Sequence, residues 1–223
     1  FADFLRQVGE VEGIRRVRYT SPHPKDFRED GAEAKADTAA ACEQLHLPLQ
    51  SGSDRILAAM HRGYNRDRFV SRLEMARSIV SGLSVSTDII VGFPGETEED
   101  FLATLEVVEQ ARFDQAFTFQ YSARPGTAAA TMDGQLDKAV VQERFDLLVE
   151  LQNRISLESN QALVGRTLEV LVEGPSKKDP TVVTARSRGN RTVHAAGNHS
   201  AGSYVDLEIT KGAPHHLFGR VVS

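Results

Sequence analysis

Four short clusters hold the residues of this chain best suited to chemistry. They are Ser21-Pro22-His23-Pro24, Gln50-Ser51-Gly52-Ser53-Asp54, Gly92-Phe93-Pro94-Gly95-Glu96-Thr97 and Ser122-Ala123-Arg124-Pro125-Gly126-Thr127. Gly92 and Gly95 let a backbone approach a flat ligand closely. The third cluster is not a phosphate loop, since the Walker pattern with its lysine is absent. Taken singly, each cluster has a plainer reading. GFPGET serves as a strand–turn–helix connection, with Thr97 as cap and acidic residues at the helix start. QSGSD serves as an N-cap, Arg124 as a surface ion pair, and His23 as a turn residue. His46 reads first as a hydrogen-bonded interior residue and Cys42 as a small buried hydrophobe. Their order and their common position argue for one site.

That position comes from the elements around them. Ile14–Thr20, Leu45–Leu49, Ser84–Val91 and Gln115–Tyr121 read as strands, and one cluster follows each. Helices are expected between them, from Phe69, Leu73, Ala76 and Val80, and from Phe101, Leu105 and Val108 after Thr97. Asp26–Ala41 is also expected to be helical. Strands separated by helices imply parallel pairing through right-handed crossovers. In parallel barrels the site lies at the C-terminal strand ends, so the four clusters converge on one mouth. Period-2 geometry places His46 and Gln50, Ser86 and Asp88, and Thr118, Gln120 and Ser122 toward the barrel interior. Phe117, Phe119 and Tyr121 are thereby expected against the helices. A one-residue slip would reverse each assignment. Val141, Phe145, Leu148, Leu151 and Ile155 then form the stripe of a long helix.

After Ala162 the texture changes. TLEVLVEG, TVVTARS, RTVHAAG, SYVDLEIT and HLFGRVV are strand-like runs split by Gly, Pro, Asn and Ser, as in a small all-β barrel of the oligonucleotide-binding size. The boundary is placed at Leu163–Gly165. This tail carries 8 Lys/Arg against 5 Asp/Glu, whereas residues 1–160 carry 18 against 26. A basic tail on an acidic body suits a polyanionic partner.

With 40% hydrophobic and 26% charged residues the chain has a globular balance. No stretch approaches the length of a transmembrane helix, and no charged-then-apolar leader is present, so no membrane association is expected. The single cysteine, Cys42, excludes an internal disulfide framework and any cysteine-ligated metal site built from this chain alone. It favours a reducing, cytoplasmic compartment. Phe1 opens on a stretch that already reads as helix, so a fragment is expected.

SPHP, LHLPLQSGSDRIL, STDIIVGFPGETEEDF and FQYSARPGT occur in the order and spacing of the radical S-adenosylmethionine methylthiotransferases, and the chain resembles that family. LVGRTLEVLVEGPS, RSRGNRTVH, GSYVDLEIT and HHLFGRVV resemble its terminal TRAM domain. QSGS and SARPGT favour the branch that acts on tRNA. The resemblance implies an α/β fold: the C-terminal four strands of a radical SAM partial (β/α)6 TIM-like barrel over 1–160, then a TRAM (OB-like) barrel over 161–223. It implies two [4Fe–4S] clusters, S-adenosylmethionine as cofactor, and 2-methylthiolation of N6-isopentenyladenosine beside the tRNA anticodon. A monomer is expected.

Carried over by position, the resemblance implies a cofactor pocket. Gln50, Ser51 and Ser53 contact methionine or ribose there, and Gly52 and Asp88 are counted with them. Gly92, Phe93, Pro94 and Gly95 lie along the adenine, and Glu96 braces their loop. Arg124 contacts a carboxylate or a substrate phosphate, and His23 faces the mouth. In the TRAM part, Lys177, Lys178, Arg186, Arg188 and Arg191 are the expected tRNA phosphate contacts. The sequence departs from the family in three places. None of the six cluster cysteines is present, so this chain alone is expected to be inactive. Residues 31–40 are poor in large apolar side chains, and Ala128 stands where proline is usual. Three alternatives remain open: an RNA-binding module without catalysis, an aldolase-like barrel enzyme, and a sister enzyme acting on another tRNA adenosine or a ribosomal protein.

Overall fold

The computed structural model describes residues 1–20, 22–177 and 179–222. Its first part is a three-stranded parallel sheet, β1 (Gln44–His46), β2 (Ser84–Val91) and β3 (Gln115–Gln120), in that order. Helices α1 (Ala2–Gly9) and α2 (Glu29–Asp37) precede the sheet, and α3 (Asp54–Ala59), α4 (Arg66–Ile79) and α5 (Glu98–Ala111) lie between its strands. A long helix, α6 (Lys138–Gln161), follows. Five further strands, β4 (Thr167–Pro175), β5 (Val182–Ser187), β6 (Thr192–Ala196), β7 (Tyr204–Gly212) and β8 (Leu217–Val221), close into a barrel in the order β4-β5-β6-β8-β7.

Leu45, Leu47 and Leu49, Val85, Ile89 and Val91 pack beneath the helices with Phe69, Phe101, Phe113, Leu148 and Ile155. The expected stripe of α6 thus reaches the core through Val141, Leu148 and Ile155, with Phe145 and Leu151 at its edge. Thr97 caps α5 reciprocally with Asp100, as its sequence predicts. The second core is separate, with Val170, Ala185, Val193, Leu207, Ile209 and Leu217 inside the barrel.

Three expectations are corrected. The strand expected over 14–20 is reduced to one parallel bridge, Val17 with Ala41. The arginines flanking Val17 are spent on the barrel instead: Arg16 donates to the carbonyls of Arg186 and Glu169, and Arg18 to that of Ser187. The second strand is shorter than expected. Pro48 has no N–H for a ladder, and the Thr87 hydroxyl stands in, donating to Leu47 O and accepting from Leu49 N. Pairing resumes only at Gln50, bridged to Ile89.

The faces of β3 are reversed. Phe117 meets the His46 ring, and Phe119 and Tyr121 line the cavity at the strand ends, whereas Gln120 touches only that cavity's rim and donates its amide to Gln142 of α6. The register sets this: Phe117 pairs with inward Asp88, and Thr118 with outward Ile89. Phe117 and Phe119 consequently remain 46% and 51% exposed on the concave face.

Candidate functional site

A cavity of about 710 Å³ opens at the C-terminal ends of the strands. Gln50, Asp88, Phe93 and Arg124 line it together, so four of the expected cofactor residues meet there. The sequence reading missed His61 and Arg62 after α3, Tyr121 at the end of β3, and Met60 and Met132, which complete the wall. The strain around this cavity is specific. Gln50 and His61 line it and adopt left-handed backbone at φ 65° and 55°, a conformation costly for residues with a Cβ. Arg62 Nε and Tyr121 Oη are buried without a hydrogen-bond partner and belong to its walls.

Behind the wall lies a framework. The Ser51 hydroxyl is 3.3 Å from Thr104 Oγ1, and Gly52 N donates to the same oxygen. A Cβ on Gly52 would lie 2.4 Å from Ala103 O, so only glycine lets the loop touch α5. Ser53 caps α3 by accepting from Ile56 N and donates to Asp100. Ser51, Gly52 and Ser53 therefore hold two helices together, with Ser51 and Ser53 buried. Asp100 also receives Arg55 and Thr97. Burial alone would raise its carboxyl, but these donors outweigh burial and hold it well below the usual carboxylate range.

The third cluster is built around Glu96. Its carboxylate accepts from Gly92 N at 2.9 Å and from Arg144 of α6 at 2.8 Å. Burial nonetheless pushes the Glu96 carboxyl up. Gly92 is left-handed, and a Cβ there would lie 2.6 Å from Val141 Cγ2. Gly95, also left-handed, donates to Gly134 O. Phe93 packs edge-on against Tyr121 at 5.4 Å and is buried, as is Pro94. Glu96 and the two glycines thus shape the loop that presents Phe93 to the cavity.

On the concave face below the cavity, His46 is held between Ser86 and Asp88, with Nδ1 3.0 Å from Ser86 Oγ and Nε2 3.2 Å from Asp88 Oδ2. This polar row was legible from the alternation of β1 and β2.

Other expected site residues lie elsewhere. His23 stacks edge-on with Tyr64 at 5.3 Å and lines a different cleft with Phe1, Tyr19 and Phe27. Lys177 is exposed at a barrel loop, and Lys178 lies outside the described residues. Arg186 pairs with Glu173 at 2.6 Å. Arg188 pairs with Glu43 at 2.8 Å and donates to the carbonyls of Ala39 and Ala41. Arg191 reaches Asp114, Ser159 and Asn160. The last two sit between the sheet and the barrel and bind protein there, rather than forming a free cationic face. Arg16, with 4% of its side chain exposed, meets Glu169 from the other side, and Arg15 lies 3.7 Å over the Tyr204 ring.

Cys42 is buried, and among the described residues no group of His, Cys, Asp and Glu could hold a metal ion. The residues of this chain do not fit an iron–sulfur cluster. No helix among them is long and apolar enough to cross a membrane.

Comparison with known proteins finds the Radical SAM superfamily over residues 1–108 and the TRAM domain over residues 161–222. The tRNA-2-methylthio-N(6)-dimethylallyladenosine synthase of Mycobacterium ulcerans is 53% identical over 223 residues, covering 97% of this chain and 42% of that protein. The synthase of the same name from Mycolicibacterium paratuberculosis is 54% identical over 222 residues, covering 97% and 43%. The chain thus spans less than half the length of these curated relatives. Among solved structures, the radical SAM enzyme HemN, coproporphyrinogen III oxidase of Escherichia coli, superposes with a TM-score of 0.49 at 15% identity, over 75% of this chain and 45% of that one.

Proposed function

We propose, from the premise that this chain belongs to the radical SAM superfamily in its first half and ends in a TRAM domain, that it is the cofactor-binding and RNA-docking part of a tRNA methylthiotransferase. The reaction proposed for the whole protein is 2-methylthiolation of N6-dimethylallyladenosine in tRNA, the chemistry named in its relatives. One observation carries the reading: the strand-end cavity, where Gln50, Asp88, Phe93 and Arg124 converge and Gln50 and His61 hold left-handed backbone.

The cavity falls in the size range of cofactor sites and is lined by rings and a few polar groups. S-adenosylmethionine, when bound, supplies the radical-forming and methyl-donating chemistry. The residues here bind and orient it. Phe93 and Tyr121 offer ring surface to an adenine, Arg124 and Arg62 offer donors to a carboxylate, and Gln50 and Asp88 offer polar contacts to methionine or ribose. Ser51, Gly52, Ser53, Gly92, Pro94, Gly95 and Glu96 support that wall from behind. We assign both iron–sulfur clusters to cysteines outside these 223 residues, and no step is derived through them. The chain by itself is accordingly inactive, acts in the cytoplasm as part of the whole protein, and is monomeric. The domain division at 160/161 belongs to the same proposal.

The experiment is calorimetric titration of S-adenosylmethionine into this chain. Saturable binding that weakens in Arg124→Ala and Gln50→Ala is expected. Wild-type affinity in both variants overturns the pocket. Product analysis with the whole protein distinguishes a tRNA adenosine from a ribosomal protein as substrate.

A further inference from the structure

We propose that the outer face of the C-terminal barrel carries a nucleobase-stacking platform, built from His194, His216 and Phe218 and edged by Lys211, that takes unpaired bases of single-stranded RNA. The inference rests on the tRNA reading above and supplies a docking surface distinct from the arginines expected for it.

Strand alternation puts His194 and Phe218 outside; His216, in the turn before β8, packs against both and also lines a small cleft between barrel and sheet. Val193 and Ala195 flank His194 and are buried in the barrel core, as is Leu217 beside Phe218. A Cβ on Gly219 would lie 3.1 Å from Leu207 Cβ, so that position also faces inward and Phe218 outward. The register then lines up one row across four strands: Thr184 opposite His194, His194 opposite Phe218, and Phe218 opposite Lys211. The rings touch. Centroids lie 6.1 Å apart for His194 and Phe218, 4.9 Å for His216 and Phe218, and 5.2 Å for the two histidines.

The cation at the edge is placed by a defect in the ladder. Between Ile209 and Lys211 the register of β7 against β8 slips by one residue. Without that bulge Thr210 would stand opposite Phe218 and Lys211 would fall on the core-facing position opposite Leu217. The bulge re-aims Lys211 outward, and its ammonium lies 5.7 Å from the Phe218 ring centroid. Arg186, Arg188, Arg191 and Arg220 are engaged with carboxylates, whereas Lys211 forms no ion pair among the described residues.

The Phe218 ring, 36% exposed, beside two partly exposed histidines and the Lys211 ammonium, suits a strand whose bases stack while its phosphates meet the cation. A duplex hides its base faces and cannot use such a surface.

The test uses this whole chain and a single-stranded RNA of about ten nucleotides with 2-aminopurine near its centre. Binding should quench the 2-aminopurine. Phe218→Leu should weaken binding about tenfold and abolish the quench, and Phe218→Tyr should restore both. Lys211→Gln should lower the slope of log affinity against log salt by about 0.7. Melting by circular dichroism checks folding; were Phe218→Leu to melt early, His194→Ala and Lys211→Gln carry the test. RNA binding indifferent to His194, Lys211 and Phe218 overturns the platform and leaves the tRNA reading standing. Equal affinity for a blunt duplex also overturns it. Absence of any RNA binding overturns both, and leaves the cofactor pocket to its own titration.

Discussion

Arg144 lies 2.8 Å from the carboxylate of Glu96, with 8% and 1% of the two side chains exposed, and the contact ties α6 to the loop after β2. The same carboxylate accepts from Gly92 N, and Val141, one turn before Arg144, fills the space a Cβ on Gly92 would need. One acid therefore fixes both the left-handed turn and the helix that covers it. Breaking a buried pair leaves an uncompensated charge. Arg144→Met should cost about 3 kcal/mol in urea unfolding. It should also weaken cofactor binding, since Phe93 rides on that loop. An unchanged urea midpoint would show that the pair is dispensable.

Gly52 supports the cavity from farther away. Its Cα faces the backbone of α5, with Ala103 O and Thr104 Cα in the path of any side chain. Neither atom can move without shifting the helix. Gly52→Ala should destabilise by about 2 kcal/mol through overpacking. A thermal melt is sufficient; a loss smaller than about 0.5 kcal/mol, the ordinary scale of surface substitutions, would mean that α5 yields easily.

Legibility in the sequence followed the range of the physics. Thr97 was recognisable as a cap, and the QSGSD cluster as holding one, because capping depends on residues three apart; the structure gives that second role to Ser53. The inward row His46, Ser86 and Asp88 followed from alternation because the opposite face is Leu45, Leu47 and Leu49 in one strand and Val85, Ile89 and Val91, broken only by Thr87, in the other. The faces of β3 were misread because aromatic residues normally mark the buried side. Here α6 covers the face of Ala116, Thr118 and Gln120, and Phe117 and Phe119 are left on the concave side. The paired fates of Arg16, Arg188 and Arg191 depend on partners 153, 145 and 77 residues away, which no local pattern reports. His61 and Arg62 carried no signature because their role comes from a left-handed turn after a short helix.

Lys35 makes stability depend on pH. It is buried in α2, donates to Cys42 O and lies 4.3 Å over the Tyr19 ring, with Glu43, Arg18 and Arg188 nearby. Burial brings its pKa down to about 8 from the ordinary 10.5. Between those values the unfolded chain holds more protons than the folded one, so stability rises with pH across the window. The buried ammonium thus costs about 3 kcal/mol at neutral pH. The Tyr19 phenol, pushed up to about 12 by burial, works in the opposite direction once pH passes 10. Unfolding at pH about 7.5 and about 9.5 should show a gain for the wild type and a flat response for Lys35→Met. A parallel rise in both would assign the dependence to another group.

The sheet and the barrel are joined by arginines from both sides. Arg16 donates to Glu169 Oε1 at 2.9 Å and to two barrel carbonyls, and Arg188 returns across the interface to Glu43 at 2.8 Å. Asn160, at the end of α6, donates to Ala213 O, and Gly212 admits no Cβ because Asn160 C lies 2.7 Å away. Exposed ion pairs would contribute little, but Arg16 is almost wholly buried and satisfies backbone carbonyls that otherwise lose their partners. Arg16→Ala should therefore uncouple the two parts: one calorimetric unfolding transition in the wild type, two in the variant. Trypsin should cut the variant faster at Arg166, between α6 and β4. A single transition in Arg16→Ala, with unchanged cleavage at Arg166, would place the coupling in α6 and the Asn160–Gly212 contact instead.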